Sequence, residues 1–118
     1  MNVAAGRYRL PVILFRYTHT RDARTRETTL TPLWAGRTRA QILPVSPARV
    51  EAARQLFEGA AVEFRIRRNP SLEPEVGWAV WHRGLAYEIG AVVNERMADV
   101  EIRLVCGAGR PLEEPTAP

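Results

Sequence analysis

The sequence predicts a mainly β protein: a small antiparallel β-barrel of about six strands, with one short helix inserted between strands 2 and 3. Three observations predict this class. Six segments are rich in β-branched and aromatic residues and are separated by short polar or glycine-containing stretches. Only one segment has apolar residues at helical spacing. The chain has 118 residues, 46% hydrophobic and 25% charged, which is the size and composition of one globular domain.

The first two strands flank a basic segment. Residues 8–17 form the first strand and residues 29–43 the second, with a bulge or bend expected at Gly36. Residues 18–28 between them contain no apolar side chain larger than alanine, so nothing anchors them in a core. We expect a long exposed hairpin loop there. Three arginines project from this loop: Arg21, Arg24 and Arg26.

The single helix is predicted from Ser46 to about residue 58. The Ser46 hydroxyl accepts a hydrogen bond from an otherwise unpaired amide, and Pro47 suits the first helical position. Apolar residues recur at spacings of three and four from Val50 to Phe57, which forms one apolar stripe. Gly59 ends the helix.

The remaining strands are short. Residues 61–68 alternate apolar and polar side chains, which is typical of a half-buried antiparallel strand. Residues 69–74 contain two prolines and form a loop, and residues 78–81 and 85–93 are strands joined by a tight hairpin with Gly84 at positive φ. The last strand ends at Cys106, and its inward residues are Val100, Ile102, Leu104 and Cys106.

The domain boundary follows from composition. Residues 1–106 are predicted to form a single domain, and residues 107–118 have too little apolar content to pack alone, so we expect a flexible tail. The longest aliphatic run, residues 12–15, is too short to span a membrane, and no membrane partner is expected. A single cysteine excludes an intramolecular disulfide and fits a reducing cytoplasm.

Charge is unevenly distributed along the chain. All 17 basic residues are arginine, which a GC-rich genome explains most simply. Residues 1–39 hold eight arginines and two acids, whereas residues 40–118 hold nine arginines and eleven acids. The first third therefore attracts phosphate or an acidic protein surface, although a net charge of +4 is modest for a dedicated nucleic-acid binder.

No set of residues predicts catalysis, a metal site or a cofactor. His19 lies in the arginine-rich loop and His82 at a hairpin, without the spacing of a zinc site. Cys106 falls on an inward strand face and is expected to be a core residue. The acidic side chains lie mainly at outward strand positions, where solvated charges are expected: Glu63, Glu88, Glu95, Asp99 and Glu101. We expect no enzyme activity.

Taken in order, the segments resemble the head–tail adaptor family of tailed phages, the small head-completion (stopper, head closure) proteins of the neck. The resemblance covers residues 5–106. AGRYRLPVILFR at 5–16 is similar to the opening strand of the family, and Arg21-Asp22 begins its polar hairpin loop. LTPLWAGRTRAQILPVSPARVEAAR at 30–54 is similar to its Trp and Pro-Leu-Ser block, and VEFRIRRNPSLEPEVGWAVWHRGLAYEIGAV at 62–92 follows its later strands.

The resemblance implies a structural protein of the virion neck, made in the host cytoplasm. It would dock as a ring, usually six-fold, below the portal or adaptor, close the DNA channel and present a surface to the tail or tail terminator. In the family the segment between the second and third strands often faces the channel. Here that segment is residues 44–60, and its polar residues are candidates for channel or adaptor contact: Ser46, Arg49, Glu51 and Arg54.

Three further expectations concern partners. Ring contacts would be heterologous and weak, so the isolated protein is expected to be a monomer or weak oligomer. Arg21, Arg24 and Arg26 either contact packaged double-stranded DNA, pair with acidic residues of a neighbouring ring, or are simply solvated. The alternative functions are a stand-alone nucleic-acid-binding barrel and another neck component such as a tail terminator.

Overall fold

The computed structural model describes residues 8–45, 58–94 and 100–118. Within these ranges the regular structure is entirely β, and no helix there is long and apolar enough to cross a membrane. The strands are β1 (Leu10–Arg21), β2 (Thr28–Pro44), β3 (Val62–Arg67), β4 (Ala79–His82), β5 (Leu85–Val93), β6 (Glu101–Cys106) and β7 (Arg110–Pro111). Their pairings are all antiparallel.

The sheet closes on itself. Its order is β4-β1-β2-β3-β6-β5-β7, and an additional pairing between β4 and β5 completes a ring of six strands. The first half of β5 pairs with β4, and its second half pairs with β6 on the opposite edge. β7 pairs with the start of β5, on the same edge of β5 that β6 pairs with further along the strand.

The core lies inside this ring. Ten buried side chains form the main cluster: Val12, Leu14, Ala40, Phe64, Ile66, Val80, Ile89, Ile102, Leu104 and Cys106. They come from six strands, which is the consequence of period-two alternation on strands that share one interior. The Phe64 and Tyr87 rings meet edge to face at 5.1 Å between centroids. Cys106 is buried as predicted, and burial raises the pKa of its thiol well above the ordinary value.

A β-bulge lies where Gly36 predicts one. Leu14 pairs with Gly36 and Phe15 pairs with Trp34, so Ala35 is the extra residue of β2. The Leu72 side chain packs onto Gly36, and a Cβ at residue 36 would lie 2.8 Å from the Leu72 Cδ2. A glycine here therefore permits both the bend and the close packing.

The hairpin between β4 and β5 has the predicted geometry. His82 pairs with Leu85, and the two intervening residues, Arg83 and Gly84, have φ angles of 47° and 84°. Two successive positive φ angles are typical of a type I′ turn, whose twist matches that of the flanking strands. His82 is buried rather than at an exposed tip, and its Nδ1 lies 3.1 Å from the carbonyl oxygen of Pro11.

Two local predictions differ from the structure, and a third lies outside the described residues. The expected loop of residues 18–28 is shorter in the structure, because β1 extends to Arg21 and β2 begins at Thr28, leaving a loop of residues 22–27. Its threonines have high β propensity, and hydrogen bonds between two strands need no core. Val100, which the alternation predicts to face inward, is 66% exposed and precedes β6. The predicted helix beginning at Ser46 lies outside the described residues, apart from a turn at residues 58–59.

The C-terminal segment is docked further than its composition predicts. Arg110 and Pro111 pair with β5, the Leu112 N–H donates to the Gly84 carbonyl at 3.0 Å, and the Trp81 indole N–H donates to the Leu112 carbonyl at 2.8 Å. Leu112 also packs against a second cluster formed by Phe15, Ala79 and Ala86. Edge pairing and one apolar anchor thus hold residues 110–112, which composition alone did not reveal.

Candidate assembly surface

The most prominent surface feature is a two-stranded ribbon made by the outer halves of β1 and β2. β1 pairs with β4 only from Ile13 to Phe15, whereas its pairing with β2 continues to Arg21 opposite Thr28. The six residues beyond Phe15 extend about 20 Å at about 3.4 Å per residue. The molecule is correspondingly long, with extents of 58 × 33 × 26 Å. The ribbon therefore projects beyond the closed sheet.

The ribbon ends in a tightly hydrogen-bonded basic loop. The Asp22 N–H donates to the Glu27 carbonyl at 3.0 Å, and the Arg26 N–H donates to the Asp22 carbonyl at 2.8 Å. The Asp22 carboxylate accepts the Arg24 N–H at 2.8 Å, which is an Asx turn. Arg26 has a φ of 58°, so the loop holds a non-glycine residue in the left-handed region. These contacts give the tip a defined backbone shape.

The three predicted arginines lie at this tip. Arg21 is the last residue of β1, and Arg24 and Arg26 are in the loop; all three are exposed. Within residues 8–45, 58–94 and 100–118, no ion pair joins any of them to a carboxylate. Their guanidinium groups are therefore presented to solvent with their hydrogen-bond donors available for phosphate or carboxylate.

A groove of about 400 Å³ opens at the base of the ribbon. Tyr17, His19 and Leu30 line its ribbon side, and Val76 and Trp78 line the side formed by the segment before β4. The groove exists because the pairing between β1 and β4 ends at Phe15. The segment before β4 lies along β5 instead, and its Gly77 N–H donates to the Ile89 carbonyl at 3.0 Å. The rest of the lining is Arg16, Gly77 and Glu88.

The groove exposes apolar side chains. Leu30 is 53% exposed and Val76 is 63% exposed, although both are large aliphatic residues. Glu88 supplies a carboxylate, and its ion pair with Arg110 is long, at 3.7 Å, with both side chains more than half exposed. Such a pair contributes little to stability. Exposed aliphatic residues facing each other across a concave surface are typical of a contact site.

Tyr17 lies between the groove and the C-terminal segment. Its ring packs edge to face on Phe15, with centroids 5.3 Å apart. Burial raises the pKa of the Tyr17 phenol, Arg110 opposes this shift and Glu88 adds to it. The phenol is therefore protonated at neutral pH and can donate a hydrogen bond to a molecule in the groove.

A second charged cluster lies on the outer face of the closed sheet. Glu63 is only 5% exposed, in contrast to the solvated position expected for it. It accepts hydrogen bonds from the Arg65 Nε at 2.7 Å and from the Arg103 Nε and Nη2 at 2.9 and 2.6 Å. Burial by itself raises the pKa of Glu63, but the hydrogen bonds from Arg103 and Arg65 outweigh it and lower the pKa below its ordinary value.

Sequence reasoning missed this cluster and the groove for the same reason. The period-two spacing of Glu63 and Arg65 places both on one strand face, and that signal was available. Arg103 joins them only because β3 pairs with β6, which sets Arg65 directly opposite Arg103. Likewise, only the divergence of β4 from β1 brings Val76 close to Leu30.

No group of three or more His, Cys, Asp or Glu side chains within residues 8–45, 58–94 and 100–118 could hold a metal ion. His19 is exposed on the ribbon, and His82 contacts a backbone carbonyl on β1. The buried Cys106 thiol has its pKa raised by burial, which disfavours the reactive thiolate. The candidate residues Ser46, Arg49, Glu51 and Arg54 lie outside the described ranges.

The fold has counterparts among solved structures. The chain is similar to protein SF1141 from Shigella flexneri 2a, with a TM-score of 0.64, 21% identity, and coverage of 91% of this chain and 96% of that one. It is also similar to a chain in the virion of a native gene transfer agent particle, with a TM-score of 0.60, 15% identity, and coverage of 88% and 98%. No family model and no curated protein matches the sequence.

Proposed function

We propose that the chain is a structural protein of a phage-like virion, positioned at the neck, where it joins the head to the tail. In this role copies of a small β-barrel dock as a ring below the portal or adaptor, close the DNA channel and provide the attachment surface for the tail. The observation that carries the proposal is the shared fold with a chain of a gene transfer agent virion over 88% of this sequence. The ordered resemblance to head-completion proteins supports it independently.

The surface chemistry suits a protein that acts through contacts. The closed sheet carries a projecting ribbon, a basic tip and a partly apolar groove. We accordingly propose a non-enzymatic role. The partners are other copies of the chain, the portal or adaptor above, and the tail or tail terminator below. The segment from Ser46 to Arg54 remains a candidate for channel or adaptor contact.

The arginine tip has two candidate ligands in this setting. Arg21, Arg24 and Arg26 would contact phosphates of packaged double-stranded DNA or carboxylates of an adjacent ring. Guanidinium groups bind both with the same paired donors, so their geometry does not distinguish them. The hydrogen-bonded loop backbone favours either ligand over simple solvation, because it holds three arginines at the end of a ribbon about 20 Å long.

The decisive experiment deletes the gene in the strain that produces the particles. Particles would be purified with and without complementation by the wild-type gene, and electron microscopy would count tails on heads and heads that have lost DNA. The neck role predicts tailless heads that package DNA and then release it. Normal tailed particles in the deletion strain would refute the role. DNA-filled heads with aberrant tails would indicate a tail terminator instead.

A matched variant tests the arginine tip within the same strain. Complementation with Arg21→Ser, Arg24→Ser and Arg26→Ser together should reproduce part of the deletion phenotype while leaving the folded protein level unchanged. The control replaces Arg37, which is exposed on β2 away from the tip, with serine. Wild-type DNA retention and tail joining in the triple variant would show that the tip is only solvated.

The second candidate function is a stand-alone nucleic-acid-binding barrel, which the same exposed arginine tip favours. It predicts affinity for DNA fragments that falls steeply with salt, in proportion to the number of phosphates contacted. Fluorescence anisotropy with the purified protein at low and at physiological salt measures this. Absence of binding at low salt would exclude the candidate, whereas binding that the triple arginine variant abolishes would support it.

A further inference from the structure

The ribbon leaves one edge of β1 open to a further strand. Pro32 has no N–H, so it cannot exchange the two hydrogen bonds of a hydrogen-bonded pair with Tyr17. The Asp22 N–H donates to the Glu27 carbonyl, so these two residues form a hydrogen-bonded pair. Because hydrogen-bonded and non-hydrogen-bonded pairs alternate along the strands, Tyr17 and His19 both stand in non-hydrogen-bonded pairs with β2. The backbone N–H and C=O groups of Tyr17 and His19 therefore point away from β2. Both residues line the groove, so its ribbon wall presents backbone donors and acceptors.

The opposite edge of the ribbon belongs to β2 and is free of charge. β2 pairs with β3 only from Ala40 to Pro44, and residues 28–34 read TTLTPLW. Solitary edge strands are usually protected by charged residues, proline or burial. On the β2 edge this protection comes from proline. Pro32 lacks a backbone N–H, so a further strand can pair fully with this edge only in the half of the ribbon nearer its tip. Leu30, in that half, is 53% exposed.

We infer that the groove is the docking site for the β2 edge of a second copy of this chain, which adds to the open edge of β1 beside Val76. The entering strand brings no charge into the groove, and its Leu30 packs against Val76 and Trp78. Two exposed aliphatic side chains are thereby buried in each contact. Main-chain hydrogen bonds to Tyr17 and His19 supply the register, as in other cases of strand addition.

Strand direction fits a head-to-tail contact. Copies related by rotation about an axis along the ribbon keep their strand directions, so β2 of one copy runs antiparallel to β1 of the next. The two surfaces differ, since one is the β1 edge with its groove and the other is the β2 edge. A contact between different surfaces repeats from copy to copy and closes when the rotation allows it. The inference rests on the proposed function only for closure into a ring.

Disulfide trapping tests the contact in the full-length protein. One protein carries Leu30→Cys and a second, of different mass, carries Val76→Cys; they are mixed at high concentration and oxidised with diamide. The native Cys106 is fully buried and does not compete. We expect the mixed disulfide between the two introduced thiols to exceed both homodimers. The control mixture pairs Val76→Cys with Val100→Cys, because Val100 is similarly exposed but does not line the groove.

Sedimentation velocity adds a measurement without cross-linking. Leu30→Glu should weaken self-association about tenfold or more, whereas Val100→Glu should leave it unchanged. Neither exposed substitution should alter the thermal unfolding midpoint. A mixed disulfide no more abundant than in the control mixture, or a predominant Leu30→Cys homodimer, would overturn the inference.

The two proposals fail separately. Absence of the mixed disulfide together with tailless, DNA-leaking heads in the deletion strain refutes this contact and leaves the neck role intact. A strong mixed disulfide together with normal particles in the deletion strain retains the contact and refutes the neck role.

Discussion

Replacement of Glu63 by glutamine tests the buried charge cluster most directly. Glu63→Gln keeps the size of the side chain but removes the negative charge between Arg65 and Arg103. The wild-type carboxylate accepts three N–H groups at 2.6–2.9 Å and is 5% exposed. Because each carboxylate oxygen accepts from a different arginine, the variant retains a carbonyl acceptor for one guanidinium group and turns its amide NH₂ toward the other.

The magnitude follows from burial and charge. Removing one partner of a fully buried ion pair costs about 3–5 kcal/mol, because the remaining charge is uncompensated. Both arginine side chains here retain some solvent contact, 16% for Arg65 and 20% for Arg103, so the cost is lower. We expect a loss of about 2–3 kcal/mol in the free energy of unfolding at pH 7. For a domain of this size that corresponds to about 6–15 °C in the unfolding midpoint.

The loss should depend on pH. The pKa of Glu63 is lower in the folded protein than in the unfolded chain. Its stabilising contribution is therefore fully present above the unfolded-state pKa, and is lost as the pH falls through the folded-state pKa. The wild type should lose stability more steeply than Glu63→Gln as acid is added, and the two proteins should converge near the acid limit.

Urea unfolding followed by tryptophan fluorescence, repeated from pH 7 to pH 3, measures both effects. The control is Glu73→Gln, since the Glu73 ion pair with Arg68 is as short, at 2.6 Å, but the Glu73 side chain is 59% exposed. Its loss should be about 0–1 kcal/mol. Equal losses in the two variants at pH 7, or an undiminished loss in Glu63→Gln at pH 3, would contradict the reasoning.

Three further predictions concern glycines and the cysteine. Gly109→Ala places a Cβ 2.8 Å from the Tyr87 Cε1, so it should detach residues 110–112, and limited proteolysis should then cleave the C-terminal segment faster than in the wild type. Gly84→Ala forces a φ of 84° on a residue with a Cβ and should cost about 1 kcal/mol in urea unfolding; an unchanged midpoint would argue against the turn geometry. Cys106 should react with a thiol reagent such as DTNB only in denaturant, because the thiol is buried and its pKa is raised; rapid labelling of the folded protein would contradict its placement.

Local pattern was sufficient for most strand positions. The alternation around Phe64 places β3 within a residue of the predicted segment, and the predicted strand 85–93 coincides with β5. Gly84 signalled the tight hairpin, and Gly36 signalled the bulge. These features depend on side-chain alternation and on backbone freedom at single residues, which are properties of neighbouring positions.

Prediction was weaker wherever stability comes from pairing between distant segments. The threonine-rich segment after Tyr17 lacks core residues and was expected to be a loop, yet β2 supplies its hydrogen bonds. The C-terminal segment was expected to be a flexible tail, but Leu112 finds a carbonyl at Gly84 and the indole of Trp81. The composition of a segment indicates how much apolar surface it can bury. It does not indicate which backbone groups will become its hydrogen-bond partners.

Four features were predictable from the sequence: the mainly β class, the order of β1 to β6, the exposure of the arginines at the ribbon tip and the burial of Cys106. Each of these follows from residue type and short-range spacing. Three other features depend on contacts between distant segments: the closure of the sheet through β4 and β5, the position of Glu63 between Arg65 and Arg103, and the groove where β4 leaves β1. Those outcomes depend on which strand edges meet, and strand pairing joins residues far apart in the chain, beyond the range of any local pattern.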